Sequence, residues 1–208
     1  MTAPDSPRPS VRARLIEAAL TCFLADDYHR VSTRQIAEQA GANVSMIRYY
    51  FGSKEGLYEE MIRETLSPLL DVLDGPLLAT TDGFATFLDL YYRTMSAHPA
   101  FPRLILKVLA LHHGPGRRFI QQLLERGRTR SALRVSALKH QGRIGPSIDP
   151  DILRLSFVSL AMTPMLLKEI FEAQIERPMD ASFLAALAHF NGHLLAAGLA
   201  PGATGDDA

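Results

Sequence analysis

Arg48, Tyr49 and Tyr50 stand in a row, and Ser53 and Lys54 follow after Phe51-Gly52. An arginine and two tyrosines on a helix surface are poor choices for solubility alone. Their chemistry suits a polyanion that also presents edges to be read. Arginine pairs with guanine O6 and N7, tyrosine rings pack on thymine methyls, and tyrosine hydroxyls donate to phosphate. Ser53 and Lys54 begin a further helix, whose free N–H groups and positive dipole end suit an anion. To reach base edges, the triplet must project from a helix that enters the major groove, about 12 Å wide, and that helix needs an inner face to hold it. Ile47 and Phe51, four apart, supply that face, with Val44 placed to join them. Ser45, Met46, Arg48, Tyr49 and part of Tyr50 are left facing outward.

Those side chains need elements to position them, and the signals are helical almost throughout. No sustained period-2 alternation bounded by turn residues occurs. Val11, Leu15, Ile16, Ala19, Leu20 and Phe23 form the apolar stripe of a first helix that ends near Asp26-Asp27. Ser32-Thr33-Arg34-Gln35 reads as a capping box. It opens a short second helix, Thr33 to Ala40, which Gly41 stops. Asn43 caps a third helix ending at Phe51-Gly52. Ser53 caps a fourth, with Leu57, Met61, Ile62, Leu66, Leu69, Leu70 and Leu73 inward, which Gly75-Pro76 breaks. Further helices are expected at 82–97, 100–112 and 116–140, then a linker at 141–147. Asp149 and Pro150 open a long helix to about residue 173, kinked at Pro164, and a final Ala/Leu-rich helix spans 180–198. Two short helices joined by Gly-Ala-Asn behind a longer one form a helix-turn-helix pattern.

Composition permits this and excludes other classes. Hydrophobic residues are 47% and charged residues 21% of 208, a globular balance. One cysteine, Cys22, excludes an internal disulfide and suits a reducing cytoplasm. The uncharged apolar run Leu155–Leu167 falls short of the roughly 20 residues of a membrane span. The net charge is zero but unevenly spread: −1 over residues 1–60, −1 over 61–116, +7 over 117–143 and −5 over 144–208. A nucleic-acid role must therefore rest on where individual basic residues sit.

The segment Ser32–Leu57 resembles the signature of the tetracycline-repressor (TetR) family, T-x-x-I-A-x-x-A-G-V-S then Y-x-F-x-x-K-x-x-L, without a gap. The likeness extends over about residues 10–58. It implies an all-α fold of about nine helices: a three-helix DNA-binding head at 10–56 (motif 32–51) and a helical sensing and dimerisation body at 57–199. Residues 1–9 and 200–208 are expected to be flexible tails. It also implies a cytoplasmic homodimer on a palindromic double-stranded operator, repressing until a small-molecule effector binds the body, with no cofactor. By matching position, Thr33 and Lys54 contact phosphates. Asn43, Ser45, Met46, Arg48 and Tyr49 face bases or their sugars, Tyr50 faces the backbone, and Arg34 joins the DNA-binding set. Arg48 stands where many members have tyrosine, and Ala42-Asn43 replaces the common Val-Ser, so the operator sequence does not carry over.

Other constellations are less specific. Phe84, Phe87, Tyr91, Tyr92 and Met95 share one helix, and Phe157, Met162, Met165 and Phe171 another. Such side chains fill cores or line adaptable apolar pockets. The family's sensor makes Phe84, Phe87, Tyr91, Met95, Phe157, Met165 and the polar His112 the candidate pocket lining. The basic stretch from Arg117 to Arg143 suits a solvated helix face, contact with an anionic ligand, attraction to DNA, or packing beside the acidic helices after it. His189 and His193 have metal-binding spacing, but no Glu stands between them as in a metalloprotease motif; a structural role is favoured and no metal is expected. No nucleophile elbow, phosphate loop or dinucleotide fingerprint supports an enzyme. A purely structural dimerisation module would explain the last helices and leave Arg48-Tyr49-Tyr50 without a reason.

Overall fold

The computed structural model describes residues 9–74, 83–110 and 114–201. The described residues form helices α1 (Val11–Ala25), α2 (Thr33–Gln39), α3 (Ser45–Phe51), α4 (Lys54–Asp74), α5 (Gly83–Ala97), α6 (Ala100–Ala110), α7 (Pro115–His140), α8 (Pro150–Leu166), α9 (Lys168–Ile175) and α10 (Ala181–Leu199). No strand occurs among them. The helix break expected at Gly75-Pro76, His112 and His113, and nearly all of both expected tails lie outside the described residues.

Contacts divide the chain into two compact units, Met1–Ser67 with Lys107–Phe119, and Pro68–Leu106 with Ile120–Ala208. The division falls inside α4, where Pro68 lacks the N–H of a normal helix bond.

In the first unit, caps set the helix ends that the sequence announces. Ser10 Oγ accepts from Ala13 N at 3.2 Å, and Ser32 Oγ from Gln35 N at 3.1 Å. Leu15, Ala19, Ile36, Leu57, Met61 and Ile62 are sealed in the core that these helices share. Arg14 Nε donates to Ala40 O at 3.0 Å and ties α1 to the end of α2. Lys107 Nζ donates to Phe23 O and Asp26 O at 3.0 and 3.1 Å, satisfying carbonyls at the end of α1. That pairing spans more than 80 residues, so no local pattern announces it.

The second unit is built on α5 and α10, its most extensive pairing. The long helix expected at 150–173 is two helices bent by 72° at Leu167. The bend falls three residues beyond Pro164 rather than at it. Leu167 takes φ −108° and ψ 18°, ends α8 by donating to Thr163 O, and starts α9 by accepting from Ile170 and Phe171. Within the protomer α10 packs on α5. Gly192 allows the approach. By length and mean hydropathy (1.2) α10 could cross a membrane, but Leu184, Ala188, Gly192, Leu195 and Leu199 are buried.

A Cβ at Gly192 would lie 2.5 Å from Ala85 Cβ and 2.6 and 2.7 Å from its Cα and N. At Gly198 it would meet nothing within 4 Å. Alanine is favoured over glycine in a helix by about 1 kcal/mol, so the two sites separate packing from propensity. Gly192→Ala should lower unfolding free energy by about 1–3 kcal/mol through overpacking, and Gly198→Ala should leave it equal or raised. Denaturant melts of both variants check this.

Candidate nucleic-acid interface

Seven residues make α3, too short to persist alone, so its position depends on its caps and its inner face. Asn43 Oδ1 accepts from Ser45 N at 2.9 Å and from Ser45 Oγ at 2.7 Å. Gly41 and Gly52 take φ +58° and +74° at the ends of α2 and α3, a region that side chains resist. Ile47 is 2% exposed and is the anchor. Phe51 is half-buried, with the Arg12 guanidinium 5.6 Å from its ring centre. Val44 is 47% exposed and does not join the inner face, because it precedes the helix it was expected to line.

The outer face is as the spacing requires. Asn43, Ser45, Arg48, Tyr49 and Tyr50 are exposed, and Met46 is half-buried. Tyr49 is 75% exposed and meets Tyr50 edge to face at 4.9 Å. At the start of α2, Arg34 is exposed and Thr33 half-buried.

Lys54 is placed differently from its neighbours. Its ammonium donates to Tyr28 O and lies 4.3 Å from the centre of the Tyr28 ring. Burial lowers its pKa. Tyr28 belongs to an aromatic group with Phe23 and Tyr58, at 5.7 and 4.9 Å. Burial, then the neighbouring Tyr28, pushes the Tyr58 hydroxyl up to about 12. The start of α4 is also partly taken. Ser53 Oγ accepts from Gly56 N at 3.0 Å, and Glu55 already supplies an anion to the first turn.

Ion pairing resolves the charge balance of this unit. Arg12 pairs with Glu60 and Glu64 at 2.7 and 2.5 Å, Arg63 with Glu60, and Arg118 with Glu55 and Glu59. The hydrogen bond that Arg12 donates to Glu64, together with both carboxylates' charge, raises the Arg12 pKa. A polar cleft of about 340 Å³ runs between these groups, lined by Arg12, Tyr50, Phe51, Gly56, Glu59, Glu60 and Arg63. Arg34 and Arg48, by contrast, have no ion-pair partner among the described residues. Glu55, Glu59, Glu60 and Glu64 on α4 are held by arginines, whereas Arg34 on α2 and Arg48 on α3 are not; Glu38 is also exposed on α2. Arg12 and Arg118 could not be read in this role from the sequence because their partners are 48 to 63 residues away, whereas Arg63 lies three residues from Glu60 on one helix, a spacing the sequence does show.

The basic stretch in α7 divides likewise. Arg126 and Arg130 pair with Asp74, and Arg128 with Glu125. Of the expected pocket residues, Phe84, Phe87, Tyr91, Met95, Phe157 and Met165 are all buried in the second unit. Phe157 lies 4.9 Å from Phe87 and 5.8 Å from Phe84.

Residues 15–61 match the family model described as bacterial regulatory proteins, tetR family. Over 110 residues the chain is 32% identical to the HTH-type transcriptional regulator RutR of Escherichia coli strain K12, covering 53% of this chain and 46% of that protein. The chain spans less than half the length of the curated relatives it first matches. The fold is similar to that of the fatty acid degradation regulator FadR of Bacillus halodurans, with TM-score 0.70, 16% identity, and 93% and 98% of the two chains covered. It is also similar to FadR of Bacillus subtilis, solved in complex with stearoyl-CoA, with TM-score 0.66, 18% identity, and 89% and 98% covered.

The placement of Lys54 sets a test of stability. Lys54→Ala should destabilise the protein by about 1–2 kcal/mol, through loss of a charged hydrogen bond and a cation–π contact. Arg48→Ala, on the open face, should stay within about 0.5 kcal/mol of the parent. Thermal melts of the two variants side by side give the comparison.

Proposed function

We propose that this chain, whose residues 15–61 match the family model described as bacterial regulatory proteins, tetR family, is a ligand-responsive, DNA-binding transcriptional repressor. The observation that carries the reading is the row of exposed Ser45, Arg48, Tyr49 and Tyr50 with half-buried Met46 on a helix anchored by Ile47. With Thr33, Arg34 and Asn43 it forms a surface of base-reading and phosphate-binding groups. Lys54 joins this set by reaching a phosphate from its seat on Tyr28, or by holding the start of α4 in place. The protein acts in the cytoplasm, as a binding protein and not as an enzyme.

The working species is a homodimer. Ile152 and Leu155 on α8 are 67% and 58% exposed, and Phe190 and Leu194 on α10 are 66% and 55% exposed. Those apolar stripes suit a two-fold four-helix seam. The seam would hold two recognition helices about 34–36 Å apart on a palindrome. The effector is a small, mainly apolar molecule held among the aromatic and methionine side chains of α5 and α8. That FadR of B. subtilis, which is similar in fold, was solved in complex with stearoyl-CoA supports an effector with a large apolar part. One continuous helix, α4, begins directly after α3 and runs into the second unit. It is the element through which effector binding would disturb operator binding.

Fluorescence anisotropy on the DNA flanking its own gene tests the assignment. Arg48→Ala or Tyr49→Ala should cost about 1–3 kcal/mol of specific binding. Unchanged operator affinity in both, with folding intact, would contradict the interface. Sedimentation at micromolar concentration should give a dimer, and Phe190→Asp with Leu194→Asp should give a monomer. A monomeric parent protein would remove the seam.

A further inference from the structure

Two adjacent tyrosines on α5 are almost equally buried and differently used. Tyr92, 0% exposed, donates from its hydroxyl to Leu160 O at 2.7 Å and accepts from Asn191 Nδ2 at 3.2 Å. One hydroxyl thereby joins α5, α8 and α10. Tyr91 is 3% exposed, and its hydroxyl has no hydrogen-bond partner among the described residues. Every sealed side-chain polar atom among those residues is satisfied, so the Tyr91 hydroxyl is not sealed but opens onto free space. Its ring lies 6.3 Å from Phe87, which packs on Phe157. A nearly buried hydroxyl without a protein partner is costly and calls for a ligand or solvent partner.

We propose that Tyr91 is the polar anchor of the effector site, its hydroxyl donating to a neutral oxygen (a carbonyl, ester or alcohol) of a mainly apolar small molecule. The proposal rests on the effector-sensing reading above and names the ligand class. Apolar walls with one convergent polar group are the usual form of such a site. The neutral class follows from the surroundings. The rings against Tyr91, Phe87 and Tyr92, are uncharged, so a carboxylate drawn among them would be buried without compensation. Burial first, and Tyr92 second, also raise the Tyr91 pKa, so its hydroxyl remains a donor at physiological pH.

The probes are 2-octanone, methyl octanoate and 1-octanol, with octanoate as the charged control. Ligand-free Tyr91→Phe should melt at or above the parent temperature, because it removes an unpartnered hydroxyl, whereas Tyr92→Phe should melt below it. The neutral probes should bind the parent protein in calorimetry and lose about five- to tenfold in affinity with Tyr91→Phe, the scale of one hydrogen bond. Octanoate should bind more weakly than the neutral probes and be indifferent to the substitution. Three results would overturn the proposal: a Tyr91→Phe melting loss as large as that of Tyr92→Phe, equal neutral-probe affinity in parent and variant, or no neutral probe binding the parent. Probes that bind through Tyr91 but leave operator affinity unchanged would sustain the anchor and remove the regulatory reading. Probes that release the operator equally from parent and variant would do the reverse.

Discussion

A seven-residue helix cannot hold its own shape in water, because so few backbone hydrogen bonds cannot repay the cost of nucleation. The face proposed to meet DNA sits on such a helix, α3. Its geometry is therefore borrowed: from Ile47 in the core, from the Asn43 cap before it, and from the glycine turn at residue 52 behind it. Everything exposed on α3 inherits its direction from those three points. The surrounding helices of the first unit supply the core that Ile47 enters, and ties such as Arg14 to Ala40 O keep α2 in register with it. The row proposed to read bases can be polar and open because the anchoring is done elsewhere.

Electrostatics follow from the same division. The first sixty residues carry no positive excess, which argues against a DNA-binding head when charges are merely summed. The fold sorts them. Carboxylates of α4 are held by Arg12, Arg63 and Arg118, while Arg34 on α2 and Arg48 on α3 have no ion-pair partner among the described residues. Exposed pairs of this kind add little stability, about 0–1 kcal/mol each. Their consequence is the field they leave at the α2/α3 face, where a phosphate backbone would meet two free guanidinium groups.

Much of this was legible in the sequence, since the features concerned are local. Ser32, Asn43 and Ser53 announce helix starts through short-range hydrogen bonds, and Ile47 is marked by its spacing from Phe51. What was not legible depends on distant partners. Val44 looks apolar enough for the inner face, but it lies one residue before the helix and points to solvent. Lys54 looks like a free phosphate ligand until Tyr28, 26 residues earlier, is found beneath it. The bend at Leu167 was expected at Pro164, because proline marks a weak point while packing decides where the chain turns. The pairing of α10 with α5 depends on Gly192 facing Ala85, a contact across more than a hundred residues. Adjacent Tyr91 and Tyr92 read alike in sequence, and only Asn191 and the Leu160 carbonyl separate them.

Selection from a random-sequence duplex library, read by sequencing, tests the central claim most directly. The claim is that α3, presented twice by a symmetric dimer, reads base edges. The enriched sequences should converge on an inverted repeat whose half-sites are centred about one helical turn apart, and Arg48→Ala should relax the preference at one symmetric pair of positions. A library that emerges unenriched, with binding that depends only on salt, would mean that the exposed row on α3 does not read DNA.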